Sequence, residues 1–258
     1  MPARRFLTAE WRNLAMLNYE VAPSLVAAYV PAGCELDSWD GRTFVSVVGF
    51  QFLSTRVLGI PIPFHRDFEE VNLRFYVRRR HEGSWRRGVV FIKELVPRHA
   101  IAWVARQVYG ENYVALPMRH SIRGLGSGSA MASYEWRRSG AWEGMRVNVS
   151  GSPALPEEES EASFITEHYW GYTRQRNGGT VEYQVEHPRW RVWHATGAWL
   201  KCNARALYGA AFSEVLSGSP RTAFLADGSA VTVRQGQRLG QTGGTGRAEV
   251  VGPGDAQR

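Results

Sequence analysis

FEEVNLRFYVRR (68–79), answered after an arginine-rich turn by RRGVVFIKELV (86–96), is the stretch that decides the fold. In its first half Val71, Leu73, Phe75 and Val77 alternate with Asn72, Arg74, Tyr76 and Arg78, which is the two-residue period of a strand. The second half, from Gly88 to Val96, is rich in β-branched residues and ends at Pro97. The whole of 70–96 therefore reads as one long hairpin.

Upstream, 11–21 reads as a strand running into Pro23, and 24–30 as a short helix stopped by Pro31-Ala32-Gly33. Asp40-Gly41 is a turn signal, and the run 43–52 after it is a strand. Downstream, 99–109 (HAIAWVARQVY) carries Ile101, Val104, Ala105 and Val108 at helical spacing. Strands are expected at 113–123, 130–138, 142–150, 180–186 and 191–200, with an acidic loop at 153–161 and a short element at 164–172. A helix over 206–216 and a last hairpin over 222–233, turning at Asp227-Gly228, complete the pattern. Many short strands with few helices give an α+β, mostly β class, a barrel or sandwich. Residues 1–239 read as one domain, and the Gly-rich 240–258 as a disordered tail.

Composition narrows the functions. Ten Trp, ten Tyr and eleven Phe in 258 residues, with 44% hydrophobic residues, suit a globular core. No apolar run spans a bilayer, and MPARRFLTAEW lacks the apolar region of a leader, so the reading is a cytoplasmic protein with no membrane partner. Cys34 and Cys202 are two distant thiols, and no zinc spacing or cofactor motif is present. The net charge of +7 comes from 29 Arg against only Lys93 and Lys201. Its densest cluster, Arg78, Arg79, Arg80, Arg86 and Arg87, reads as the solvated end of the hairpin. Lacking a basic stripe or a reading motif, the chain does not fit a nucleic-acid binder. No signal for an oligomeric state is visible.

MLNYEVAP (16–23), FVSVVGFQFLSTRVLGIPIPFH (44–65), FEEVNLRFYVRR (68–79), the run 86–118, FITEHYWGY (164–172) and VEYQVEHPRW (181–190) together resemble the YqjF-like family. The resemblance covers about 11–233. It implies the fold of the acetoacetate-decarboxylase superfamily, a closed mixed β-barrel around a central cavity. That superfamily's decarboxylase uses a lysine Schiff base activated by a neighbouring lysine. The matching stretch here, Tyr109-Gly110-Glu111-Asn112-Tyr113-Val114, has no lysine, and Lys93 has no basic neighbour, so Schiff-base decarboxylation is not expected.

The same resemblance gives the polar residues a second reading. On an open sheet Asn72 and Arg74 face water, whereas in a closed barrel they face the lumen, where an arginine grips a carboxylate. By alternation Glu94 shares its side with Val90, Ile92 and Val96. A carboxylate among apolar side chains is either salt-bridged, to Arg98 or Arg74, or a general acid/base beside a ligand. His168, with a carboxylate nearby, is a second acid/base candidate, and Tyr183 lies in a polar patch with Glu182, Glu186 and His187. His65 and Glu70 are further candidates of the same kind. The leading expectation is a lumen that binds a small anionic or carbonyl-containing molecule. Asn72, Arg74, Arg98 and Tyr183 would bind it and Glu94 and His168 would transfer protons. The alternative is a non-catalytic binding or structural protein whose polar residues are buried pairs.

Overall fold

The computed structural model describes residues 3–61, 66–97 and 112–239. The helix expected at 99–109, Arg98, His65 and the tail at 240–258 lie outside them. The chain runs β1 (Arg5–Val21), α1 (Pro23–Ala27), β2 (Glu35–Leu36), β3 (Thr43–Val57), β4 (Ile60–Pro61), β5 (Phe68–His81), β6 (Ser84–Val96), β7 (Tyr113–Ala115), β8 (Met118–Arg123), β9 (Ser129–Arg138) and β10 (Ala141–Ser150). It continues with α2 (Glu161–Thr166), β11 (Trp170–Arg174), β12 (Thr180–Glu186), β13 (Val192–Lys201), α3 (Ala204–Tyr208), α4 (Ala210–Ser217), β14 (Thr222–Arg234) and β15 (Gln237–Arg238).

Hydrogen bonding follows the order β12-β11-β6-β5-β3-β1-β14, and β14 pairs back onto β12, so the ladder closes into a ring. Most neighbours are antiparallel, but β11 joins β6 in parallel, which makes the ring mixed. A second layer, β8-β9-β10-β13, extends from β14 and folds over the outside.

This second layer explains why β5 is buried on both faces. Val71, Leu73, Phe75 and Val77 point outward into a core shared with Tyr134, Trp136, Met145, Val147 and, from the helices, Leu207 and Phe212. Phe68, Glu70, Asn72, Arg74 and Tyr76 point into the ring. Each fully buried aliphatic or aromatic side chain contributes about 1.5–3 kcal/mol, so the covered outer face is the main stabilising layer.

Three expectations are corrected. Residues 222–233 form no hairpin: β14 is one continuous strand, with Asp227-Gly228 set against β1. Gly228 takes φ +79° there, and a Cβ on it would lie 2.0 Å from the Trp11 carbonyl oxygen, so the turn-like dipeptide marks a strand kink. The helix at 206–216 is split into α3 and α4 by Gly209, at φ 99°. The arginine cluster is only partly solvated. Arg78 and Arg80 stack on the exposed Trp85, whereas Arg79 and Arg86 clamp the buried Glu182, and Arg87 holds Asp37.

Candidate functional site

Inside the ring lies a cavity of about 190 Å³, and every strand of the ring contributes to its wall. Most of the wall is apolar: Leu14, Val48, Phe50, Phe52, Phe68, Val89, Phe91, Ile165 and Trp190. Set into it are Glu70, Asn72, Arg74, Glu94, Tyr113, His168, Tyr183 and His187. Asn72, Arg74, Glu94, His168 and Tyr183, separated by up to 111 positions in sequence, thus share one cavity.

Glu94 arrives there by a route that simple alternation misses. Leu73 pairs with Lys93 but Arg74 pairs with Phe91, so Ile92 is bulged out of the β5–β6 ladder. Val90 and Ile92 belong to the outer core, whereas Val89 and Val96 belong to the inner one and Phe91 packs against it. The companions of Glu94 are therefore Val89, Phe91 and Val96, and the expected grouping with Val90 and Ile92 is overturned. A bulge re-aims the side chains that follow it, and this one turns Glu94 inward.

Arg74 is 9% exposed. Its Nη2–H donates to the Ile165 carbonyl at 3.3 Å, and among the described residues that is its one hydrogen bond. Its Nε has no partner, and no ion pair joins it to Glu94 or any other described carboxylate. A buried guanidinium is normally paired, because desolvating a charge is costly. Tyr76 lies under the guanidinium at 5.7 Å. Beside it, Asn72 Nδ2–H donates to Glu70 Oε1 at 3.0 Å, Tyr113 O–H donates to Glu70 Oε2 at 3.3 Å, and Asn72 Oδ1 is left without a partner.

His168 is wedged between Tyr76 and Phe164, at ring separations of 4.7 and 5.1 Å. Burial pushes its pKa down to about 4. The Asp37 contact works against that shift, and the nearby positive Arg87 and Arg74 reinforce it. His168 is therefore a neutral imidazole. Its Nε2 lies 3.3 Å from Asp37 Oδ2, and Arg87 Nε–H donates to the same oxygen at 2.7 Å. Although burial pulls the other way, the bonds from His168 and Arg87 hold the Asp37 carboxyl below the usual carboxylate range. An ionised carboxylate only accepts, so Nε2 carries the proton and Nδ1, which has no partner, keeps its lone pair.

Sequence reading left the carboxylate beside His168 unnamed, and Asp37 is 131 positions away. Glu167, its chain neighbour, is engaged with Tyr169 and Arg189 instead. His187, directly after the end of β12, lines the cavity and stacks on Trp190 at 4.1 Å. Its Nδ1–H donates to the Pro188 carbonyl at 2.9 Å, and burial lowers its pKa too. Neither lysine lines the cavity. Lys93 Nζ donates to the Leu207 carbonyl on the outer side of the sheet, and Lys201 is exposed. Among the described residues no cluster suited to a metal ion is found, and no helix is long and apolar enough to cross a membrane.

The mixed strand ring around a polar-and-aromatic cavity is a fold that this chain shares with solved structures of acetoacetate decarboxylase and proteins like it. MppR, an enduracididine biosynthesis enzyme complexed with pyruvate, matches with a TM-score of 0.64 at 14% identity, over 93% of this chain and 92% of its own. Acetoacetate decarboxylase from Legionella pneumophila matches with a TM-score of 0.62 at 12% identity, over 92% and 88%. An acetoacetate decarboxylase-like enzyme from Sphingomonas wittichii RW1 gives 0.62 at 14%, over 92% and 94%. Within that fold the chain belongs to the DUF2071 family, described as an uncharacterized conserved protein, whose model matches residues 8–230. A relative, the uncharacterized protein YqjF of Bacillus subtilis, is 28% identical over 190 residues, 72% of this chain and 74% of its own length.

Proposed function

We propose that the protein binds a small organic acid, carbonyl-containing or otherwise anionic, inside the strand ring and turns it over by acid/base chemistry without a Schiff base. Arg74 anchors the carboxylate, with Asn72 and Tyr183 beside it. Glu94 and His168 Nδ1 exchange protons with the bound molecule. One observation carries this reading: a buried guanidinium faces an otherwise mostly apolar cavity and, among the described residues, has a single hydrogen bond to a backbone carbonyl. An anion supplies the pairing that such a charge needs, with two parallel N–H bonds available in a dry setting. MppR, which shares the fold, has been seen complexed with pyruvate, a 2-oxo acid of the kind proposed.

His168 suits the base role because a neutral imidazole with its tautomer set by a carboxylate presents one defined lone pair. Protein purified directly from cells and crystallised without added ligand tests the assignment. A small acid on Arg74 is the expected result, and a cavity holding only water, before and after soaking with a 2-oxo acid, overturns it. Replacing Glu94 with Gln then separates enzyme from binder: binding persists and turnover stops if Glu94 moves the proton.

A further inference from the structure

The cavity is long and narrow, and its two ends differ in chemistry. Along β5 the inward side chains run Phe68, Glu70, Asn72, Arg74, while β3 sets Phe52 opposite Phe68, Phe50 opposite Glu70 and Val48 opposite Asn72. β1 in turn sets Trp11 opposite Phe52. At about 3.3 Å per residue, the Phe50 level lies roughly 13 Å along the strand from Arg74, and the level of Trp11, Phe52 and Phe68 roughly 20 Å. One continuous cavity is lined by all of these residues. Its far end is aromatic: Phe52 stacks on Phe68 at 4.6 Å, and Trp11 meets Phe50 and Phe52 edge-on at 5.3 and 5.7 Å. Between the ends, Leu14, Val48 and Phe50 give an apolar wall, and Glu70 has both carboxylate oxygens engaged, by Asn72 and Tyr113.

Volume and length specify the same shape of ligand. At roughly 10–15 Å³ for each water-sized unit, a cavity of 190 Å³ holds about 13 to 19 non-hydrogen atoms. With the two oxygens of a carboxylate set aside, about 11 to 17 carbons remain. An extended alkyl chain with C–C bonds of about 1.5 Å advances about 1.25 Å per carbon, so about 10 carbons reach the Phe50 level and about 16 the Phe68 level. Spread over that length, the volume leaves a bore about one methylene group wide, which suits an unbranched chain. A short acid such as pyruvate fills only the Arg74 end.

We propose that the ligand is an unbranched carboxylic or 2-oxo acid of about 12 to 16 carbons. Its head lies on Arg74, and its tail runs past Val48 and Phe50 toward the box of Trp11, Phe52 and Phe68. The inference rests on Arg74 being the anion anchor. Each methylene group moved from water onto these walls tightens binding about fourfold, so affinity climbs with chain length until the tail reaches the box.

Calorimetric titration of the full chain with octanoate and with dodecanoate, below micelle-forming concentrations, tests this in the wild type and in Arg74→Met. Dodecanoate binding at least about 50-fold more tightly than octanoate, with both weakened by Arg74→Met, supports the inference. A smaller ratio, with both acids still dependent on Arg74, overturns the tail and leaves the anion anchor standing. Binding that climbs with length but ignores Arg74→Met overturns the anchor, and with it the placement of the head. A crystal of the complex with 12-bromododecanoate then locates the tail by the anomalous scattering of its bromine. Bromine between Phe50 and the box of Trp11, Phe52 and Phe68 is the expected result, and bromine beside Arg74 or outside the ring would overturn the proposed orientation.

Discussion

Lys93 and Glu94 are consecutive on β6, and the sheet separates them completely: the Glu94 carboxylate lines the cavity while Lys93 Nζ is bonded to Leu207 O on the outer side. An amine on the outer face cannot reach a carbonyl inside the ring. Incubating the protein with pyruvate and borohydride is therefore expected to leave its mass unchanged, and Lys93→Ala should not alter ligand affinity. A reduced adduct mapped to Lys93 would contradict this arrangement.

Arg74 breaks no ion pair among the described residues when it is removed. A buried charge without such a partner costs desolvation and returns little, so an apolar replacement of similar length relieves the fold. Arg74→Met is expected to leave the melting temperature within about 2 °C of the wild type or to raise it. A fall of several degrees would reveal a structural role for the guanidinium.

His168 makes stability depend on pH in a definite direction. Its folded pKa of about 4 lies below the ordinary 6.5, so between these values the unfolded chain binds the extra proton. Stability from this group is complete above pH 6.5, falls as pH drops toward 4, and changes little below that. At about 1.36 kcal/mol per unit the loss is on the order of 3 kcal/mol. Denaturant unfolding from pH 7 to 4 should show it, with His187 adding the same sign. His168→Gln should flatten much of the slope, and an unchanged slope would contradict the assignment.

Asp37 sets the proton on His168 from outside the cavity. Nitrogen-15 spectra of the wild-type imidazole should show the Nε2–H tautomer, and Asp37→Asn should give a mixture, since an amide can donate or accept. The variant also deprives Arg87 of its carboxylate, costing about 1–3 kcal/mol. An Nδ1–H tautomer in the wild type would reverse the proposed direction of proton transfer.

Gly171 keeps Tyr183 in the cavity wall. The two pair across β11 and β12, and a Cβ on Gly171 would lie 2.1 Å from Tyr183 Cζ. Gly171→Ala should therefore displace the Tyr183 ring and destabilise the protein by about 1–3 kcal/mol, measurable by thermal unfolding. A neutral effect would mean that the ring moves freely.

The alternation of 71–78 was legible because a strand's period is local, and it sorted Val71 from Asn72 correctly. Which face looked inward was not local. Val71, Leu73 and Phe75 look like a barrel's own core, yet they face a second layer supplied by residues 118–150 and 204–216. The bulge at Ile92 escaped for a related reason: nothing in VVFIKEL marks the skipped residue, and register is set by the partner strand. Asp37, the carboxylate that orients His168, lies at the end of a two-residue strand that sequence period cannot detect. Turn chemistry misled at Asp227-Gly228, where a dipeptide suited to hairpins serves a strand kink against Asn13, itself at φ 56°. The cavity entered through the family resemblance, and the residues inside it were found because polar side chains on an apolar strand need a reason.

Calorimetric titration of a 2-oxo acid into the wild type and Arg74→Met, at pH 7 and matched ionic strength, tests the anion anchor most directly. Losing the charge-assisted pair is expected to weaken binding at least about 100-fold while the variant remains folded. Equal affinities in the two proteins would place the acid elsewhere and contradict the account.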